Sequence, residues 1–310
     1  MTRATAPGKF ILFGEHAVVY GQPAIAFPLR QLRVTAQINI IPDAPRGHVR
    51  LHAPDIHYHA WLHEADEENP LRKIVELTLD EIHAQSSPAI EVRVSSEILV
   101  ASGLGSGAAV STAIVRALCQ HFEQPLELER QSELVYEVEK IHHGTPSGID
   151  NTVIIYDQPV YFIRGHQPER LSISGELTFI LADTGLPSNT GQIVGNLRNA
   201  WEQNRPTFDT IFNHIGQVAE RAKSAIAAGD VKSIGILMDE NQQLLEQLGV
   251  SSETISGLLT TARDHGAYGA KLSGAGVGGI IITLVQPTAS TRIVNALREA
   301  GAVWTGVTKV

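Results

Sequence analysis

Residues 103–111, GLGSGAAVS, alternate Gly103, Gly105 and Gly107 with Leu104 and Ser106, then give way to a small apolar run that includes Ala108, Ala109, Val110, Ala113, Ile114, Val115 and Leu118. That run is long enough for a buried helix of about three to four turns. A glycine loop feeding a helix start suits an anion. Glycine lets the backbone approach closely, several N–H groups point one way, and the helix dipole favours negative charge. The expected ligand is a polyphosphate; a tight turn that uses its glycines only for packing is the alternative. The loop fits neither G-x-x-x-x-G-K-[ST] nor G-x-G-x-x-G, so the logic of those two motifs does not carry over.

Three charged residues elsewhere sit where chemistry is conceivable. Lys9 directly precedes the apolar run Phe10–Phe13, where a solvated side chain is not expected. Asp150 lies in the glycine-flanked turn of SGIDN after a helix, suited to reach a hydroxyl or simply to cap. Glu139 stands near the end of a helix, where solvated glutamate is the ordinary fate. His48, His52, His57, His59 and His63 invite a metal reading, but no cysteine joins them and no H-x-x-x-H falls on a clear helix; solvated surface is expected.

The elements that must position these residues follow from periodicity. Strands are expected at 9–13, 23–29, 33–40, 89–94, 153–156, 160–163, 177–182, 269–272, 279–285 and 303–307. Helices are expected from Asn69-Pro70 to about His83, after the glycine loop, at 127–142, at roughly 191–204, 207–228, 230–247 and 252–265, and at 289–300. Strands and helices mix without regular alternation, which argues for an α+β fold. With 310 residues, two domains are expected, at 1–172 and 173–310. A net charge of −9 without a Lys/Arg cluster excludes nucleic acid and anionic membrane as natural partners. Cys119 is the only cysteine, so no intrachain disulfide can form. The first seven residues, MTRATAP, lack the apolar core of a signal peptide, and the aliphatic run Ile280–Val285 is only strand length, so a cytoplasmic protein is expected.

Three further stretches join the glycine loop: 6–21 (APGKFILFGEHAVVYG), 139–151 (EKIHHGTPSGIDN) and 271–279 (KLSGAGVGG). Spread over nearly the whole chain and in the family's order, they resemble the signature regions of the GHMP small-molecule kinases. The family's phosphate loop reads P-x-x-x-G-L-G-S-S-A; here Leu99 replaces the proline and Gly107 the second serine. The resemblance implies a ribosomal-S5-like N-terminal domain and a ferredoxin-like C-terminal domain, with the active site in an inter-domain cleft. It implies ATP and Mg²⁺ as cofactors. The first and second stretches point within the family to mevalonate as the acceptor, with phosphomevalonate the nearest competitor, and leave a homodimer open.

Phosphoryl transfer to a hydroxyl needs a proton acceptor, charge neutralisation on the phosphoryl oxygens and a metal. The resemblance makes Asp150 the catalytic aspartate and Lys9 the group that eases deprotonation of the attacking hydroxyl. Glu139 becomes a Mg²⁺ ligand, joined by Ser106. Gly103, Leu104, Gly105, Ser106, Gly107 and Ala108 become the phosphate cradle. Glu15, His16, Ser147, Thr190, Gly274 and Ala275 become acceptor-site residues, Thr190 by the loosest match. A catalytically silent ligand sensor on the same fold is the alternative of another class; the joint presence of Lys9, Glu139 and Asp150 argues against it.

Overall fold

The computed structural model describes residues 1–99, 102–143 and 146–310, apart from the side chains of His142 and His143. Part of the 139–151 stretch therefore lies outside the described residues. The chain folds into two compact units that are not contiguous in sequence. The first comprises 1–9, 28–100 and 105–157; the second comprises 10–27, 101–104 and 158–310. A boundary at 172/173 divides the sequence and stays a proposal; the compact units interleave along it.

In the first unit, strand β3 (Val49–Ala53) lies between β4 (Tyr58–Trp61) and β5 (Ile90–Ser96), and β5 pairs in turn with Val34–Ile40 of β2 (Ala24–Ile40). β3 and β5 run parallel and the other two pairings are antiparallel. Alternation is clean on β5, where Ile90, Val92 and Val94 are buried and Arg93 is exposed. Helices α1 (Pro70–Glu81), α2 (Ser106–His121), α3 (Leu128–His143) and α4 (Ile149–Tyr156) pack on one another. Asn69 caps α1 by accepting from the N–H groups of Leu71 and Arg72, and Pro70 occupies the first turn, as its fixed φ favours.

The second unit carries a four-stranded antiparallel sheet in the order β11 (Trp304–Lys309), β8 (Thr178–Asp183), β10 (Ile280–Val285), β9 (Gly269–Ser273). With α9 (Ser290–Glu299) between β10 and β11, and helices between β8 and β9, this is the β-α-β-β-α-β arrangement of a ferredoxin-like domain with extra helices inserted. The helices between β8 and β9 are α5 (Thr190–Gln203), α6 (Arg205–Ala228), α7 (Val231–Gln247) and α8 (Glu253–Asp264). Separately, Ala24–Ala26 of β2 pair with β6 (Val160–Phe162), which pairs in turn with the short β7 (Glu169–Arg170). The rings of Phe10, Phe27 and Phe179 cluster in the core, with centroids 5.4–6.1 Å apart.

β3 and β4 form within residues 42–68, where loops and edge strands are expected, and four of the expected strands are built differently. The strand expected at 153–156 is the second half of α4, which starts at a left-handed Gly148 (φ 91°). The strands expected at 23–29 and 33–40 are one continuous strand, in which Pro28 is accommodated. The short strand expected at 9–13 is part of β1 (Thr2–Phe13). Among the described residues no helix is long and apolar enough to cross a membrane.

Candidate active site

In the first unit, three of the singled-out charged residues converge. Lys9 sits on β1 and Asp150 in the first turn of α4, where the helix dipole favours a carboxylate. Lys9 Nζ lies 2.9 Å from Asp150 Oδ1, with side-chain exposures of 4 % and 26 %. The lysine is therefore enclosed, while the aspartate keeps a face open. Gly105 explains how Lys9 is held. It precedes α2 in a left-handed conformation (φ 77°), and a Cβ there would stand 2.8 Å from Lys9 Cγ and 3.0 Å from Ile154 Cδ1. The lysine stem thus lies where any other residue at 105 would put its side chain.

Glu139, on α3, is buried, contrary to the solvated-helix reading. Burial, and next the charge of Asp150, push its carboxyl up to about 8, with Lys9 opposing. A divalent cation would relieve both causes. No group of three or more His, Cys, Asp or Glu among the described residues is arranged to hold a metal ion. The donors these residues offer are the carboxylates of Glu139 and Asp150. That set fits Mg²⁺, which takes one or two carboxylates and completes its octahedron with phosphate oxygens and water.

The α4 turn is firmly built. Ser147 Oγ accepts from the Ile149 N–H (3.3 Å), Thr152 donates to Gly148 O (2.7 Å), and Asn151 Nδ2 donates to Ser132 Oγ (2.7 Å). Ser147 is thereby engaged in shaping the turn that presents Asp150. Ser106, Gly107 and Ala108 form the first turn of α2, so Gly107 has helical and not left-handed backbone. Its N–H and those beside it are the donors a helix start leaves without intrahelical partners.

In the second unit a different set converges. Glu15 is sealed from solvent and paired with Lys271 Nζ, itself fully buried in β9; Asn241 Nδ2 on α7 reaches Glu15 Oε2 at 3.4 Å. The neighbouring His16 has a positive φ (62°), and its Nε2 lies 2.9 Å from Ala275 O. A carbonyl only accepts, so Nε2 carries the hydrogen. Burial lowers the His16 pKa to about 4, so the ring is neutral at pH 7 and Nδ1 is a lone-pair acceptor. Ser273 Oγ both accepts from Ile11 N (3.1 Å) and donates to Ile11 O (2.8 Å), fixing β9 to β1. Ser188 donates to Gly276 O (3.0 Å), which brings the loop before Thr190, the first residue of α5, to the same glycine turn. Gly103 lies against that turn too, 3.6–3.8 Å from Ser273 O and Gly274 Cα by the position of a notional Cβ, and Leu104 is buried.

Lys271, Asn241 and Ser188 were not anticipated as functional residues. Lys271 alone had a signal, since a lysine in the otherwise apolar GAKLS strand needs an acidic partner if buried. Asn241 lies mid-helix and nothing in its neighbours marks it.

A phosphate-type loop at a helix start, an ion-paired lysine and aspartate beside a buried glutamate, and a ferredoxin-like second sheet define a small-molecule kinase class. Residues 69–158 match the GHMP kinases N terminal domain and residues 222–303 the GHMP kinases C terminal domain. The chain belongs to the GHMP kinase family, and membership of a kinase family implies use of ATP. Within it, the chain is similar to the mevalonate kinase of Thermococcus sibiricus, at 34 % identity over 96 % of this chain and 93 % of the relative. It is similar to the mevalonate kinase of Aeropyrum pernix at 32 % identity, covering 97 % and 93 %. Among solved structures, L. major mevalonate kinase in complex with R-mevalonate superposes with a TM-score of 0.84 at 26 % identity, covering 100 % of this chain and 96 % of that one. Streptococcus pneumoniae phosphomevalonate kinase, at 16 % identity and a TM-score of 0.84 over 99 % and 100 %, shares the fold.

Proposed function

We propose that the protein transfers the γ-phosphoryl group of ATP to the hydroxyl of mevalonate, yielding 5-phosphomevalonate and ADP. The Lys9–Asp150 pair at 2.9 Å is the observation that carries this reading. Asp150, with one face open, accepts the proton as the hydroxyl oxygen attacks phosphorus and the bond to the ADP oxygen breaks. Lys9, fixed beneath Gly105, stabilises the negative charge that develops on the attacking oxygen. The N–H groups from Leu104 to Ala108 cradle the phosphates, and the α2 dipole adds to their pull. Glu139 and Ser106 would hold Mg²⁺, which would supply charge neutralisation for the phosphoryl oxygens. His16 Nδ1 accepts a hydrogen bond from the acceptor substrate, and Ser147, Thr190, Gly274 and Ala275 shape the surroundings. Glu15, expected to line that pocket, is better read as its anchor, because its carboxylate is taken up by Lys271 and Asn241.

A cytoplasmic enzyme, as a monomer or homodimer with neither nucleic acid nor membrane as a partner, goes with this reading. A coupled ADP-release assay with mevalonate and phosphomevalonate in parallel tests it. Turnover of mevalonate is expected. Turnover of phosphomevalonate alone would move the chain to the neighbouring activity, and turnover of neither would point to another small hydroxylated acceptor or to a catalytically silent ligand sensor.

A further inference from the structure

The mechanism above leaves one buried charged group without a task. Lys271 is 0 % exposed and Glu15 1 %, and no solvent softens the cost of enclosing either charge. An apolar pair of similar volume in such a place is often as stable or more so, so packing alone does not account for the ions. What the pair does hold is a backbone turn. Glu15 sits between Gly14 (φ 93°) and His16 (φ 62°, ψ −49°), both at positive φ. For a residue with a Cβ, the His16 conformation costs free energy and persists only where surrounding contacts fix it. Two contacts do so. One is the His16 ring to Ala275 O, and the other is the Glu15 carboxylate to Lys271 and Asn241. Both run to β9 and the glycine turn that follows it, and Ser273 ties the same strand to Ile11.

We infer that Lys271 is a positioning residue: through Glu15 it locks the His16 turn, and so fixes the tautomer and direction of the imidazole that receives the acceptor substrate. Lys271 touches no reacting atom; its effect is on the binding geometry. The inference rests on the proposed function for the identity of the acceptor but not for the state of the His16 ring, which can be read without any substrate.

The test uses the full-length enzyme and two variants. Lys271→Met leaves the enclosed Glu15 carboxylate without its counter-charge and is expected to fold poorly. The double variant Glu15→Gln/Lys271→Met removes both charges at similar volume and is expected to fold with a melting temperature near that of the wild type. In the folded double variant, KM for mevalonate is expected to rise by about tenfold or more, with kcat and KM for ATP within about threefold of wild type. Long-range ¹H–¹⁵N spectra of the imidazole give the independent readout. Wild type should show a single Nε2–H tautomer with no titration near pH 6.5, and the double variant a mixture of tautomers titrating closer to the ordinary histidine value. A folded double variant with wild-type KM and a wild-type His16 spectrum overturns the inference. So does a loss confined to kcat. If wild type fails to phosphorylate mevalonate, the function is wrong while the spectra still decide the role of Lys271.

Discussion

Among the described residues, two lysine–carboxylate pairs involve a buried lysine, and they differ in what surrounds the carboxylate. Lys9–Asp150 leaves the carboxylate 26 % exposed; Lys271–Glu15 leaves it 1 % exposed. An open pair can exchange one partner for an incoming group, so it suits proton transfer. A sealed pair cannot exchange without unfolding its surroundings, so it suits holding geometry. The histidine and glutamate near these pairs divide the same way. Glu139 beside the open pair has its pKa raised, while His16 beside the sealed pair has its pKa lowered, and in both cases burial favours the neutral form.

The largest expected effect breaks the open pair. Asp150→Asn keeps shape and removes the proton acceptor, so kcat should fall by about 10²–10⁴ with ATP affinity nearly intact. Steady-state ADP release and nucleotide titration check this together, and a kcat near wild type would remove Asp150 from the chemistry.

Stability should rank the two pairs in the opposite sense. Lys271→Met strands a sealed carboxylate and should cost about 3–5 kcal/mol. Lys9→Met retains the stem beneath Gly105 and leaves Asp150 partly hydrated, so about 1 kcal/mol is expected. Urea unfolding of both variants measures the difference, and equal losses would erase the distinction between open and sealed.

A third test concerns Glu139. Glu139→Gln should raise the Mg²⁺ concentration for half-maximal activity by roughly 10–100-fold, with the fold kept. In the metal-free protein its sign with pH is also fixed. The folded pKa of about 8 exceeds the unfolded value of 4.5, so the folded state binds more protons between them. Stability from this group is therefore full below about pH 4.5 and is lost as pH rises towards and through 8. The glutamine variant should lack that decline, which thermal unfolding across pH with a chelator present would reveal.

The smallest effects belong to the phosphate loop. Ser106→Ala should raise KM for Mg·ATP by roughly 3–10-fold, the worth of one hydrogen bond of about 1 kcal/mol. Gly107→Ser adds a hydroxyl at a helical position, so no left-handed strain opposes it, and Mg·ATP binding should stay equal or tighten slightly. Titration of both variants decides whether Ser106 alone serves the metal side; a harmless Ser106→Ala would sink that role.

Most of the helices and the stretches that carry the open pair were legible from periodicity and turn residues. The 153–156 error has a definite cause. Val153, Ile154 and Ile155 read as strand by β-branching, but Gly148 and the Ser147 turn start a helix that packs on α2 and α3, and tertiary burial overrides local preference. The open pair could be found because each member stands in a motif. Glu15 and Lys271 stand in quoted stretches too, but no motif role pairs them across 256 positions; their partnership is a product of packing.

The interleaving of the two units has a consequence for synthesis. The first unit ends at Asp157, so all its parts have been made while half the chain is still to come. Residues 10–27 belong to the second unit, and Phe10 and Phe27 find their third ring only in Phe179. At ribosomal rates this early greasy segment waits on the order of ten seconds for its partners. During that interval it is the part of the nascent chain most in need of a chaperone, and the part whose mutation should lower yield before it lowers activity.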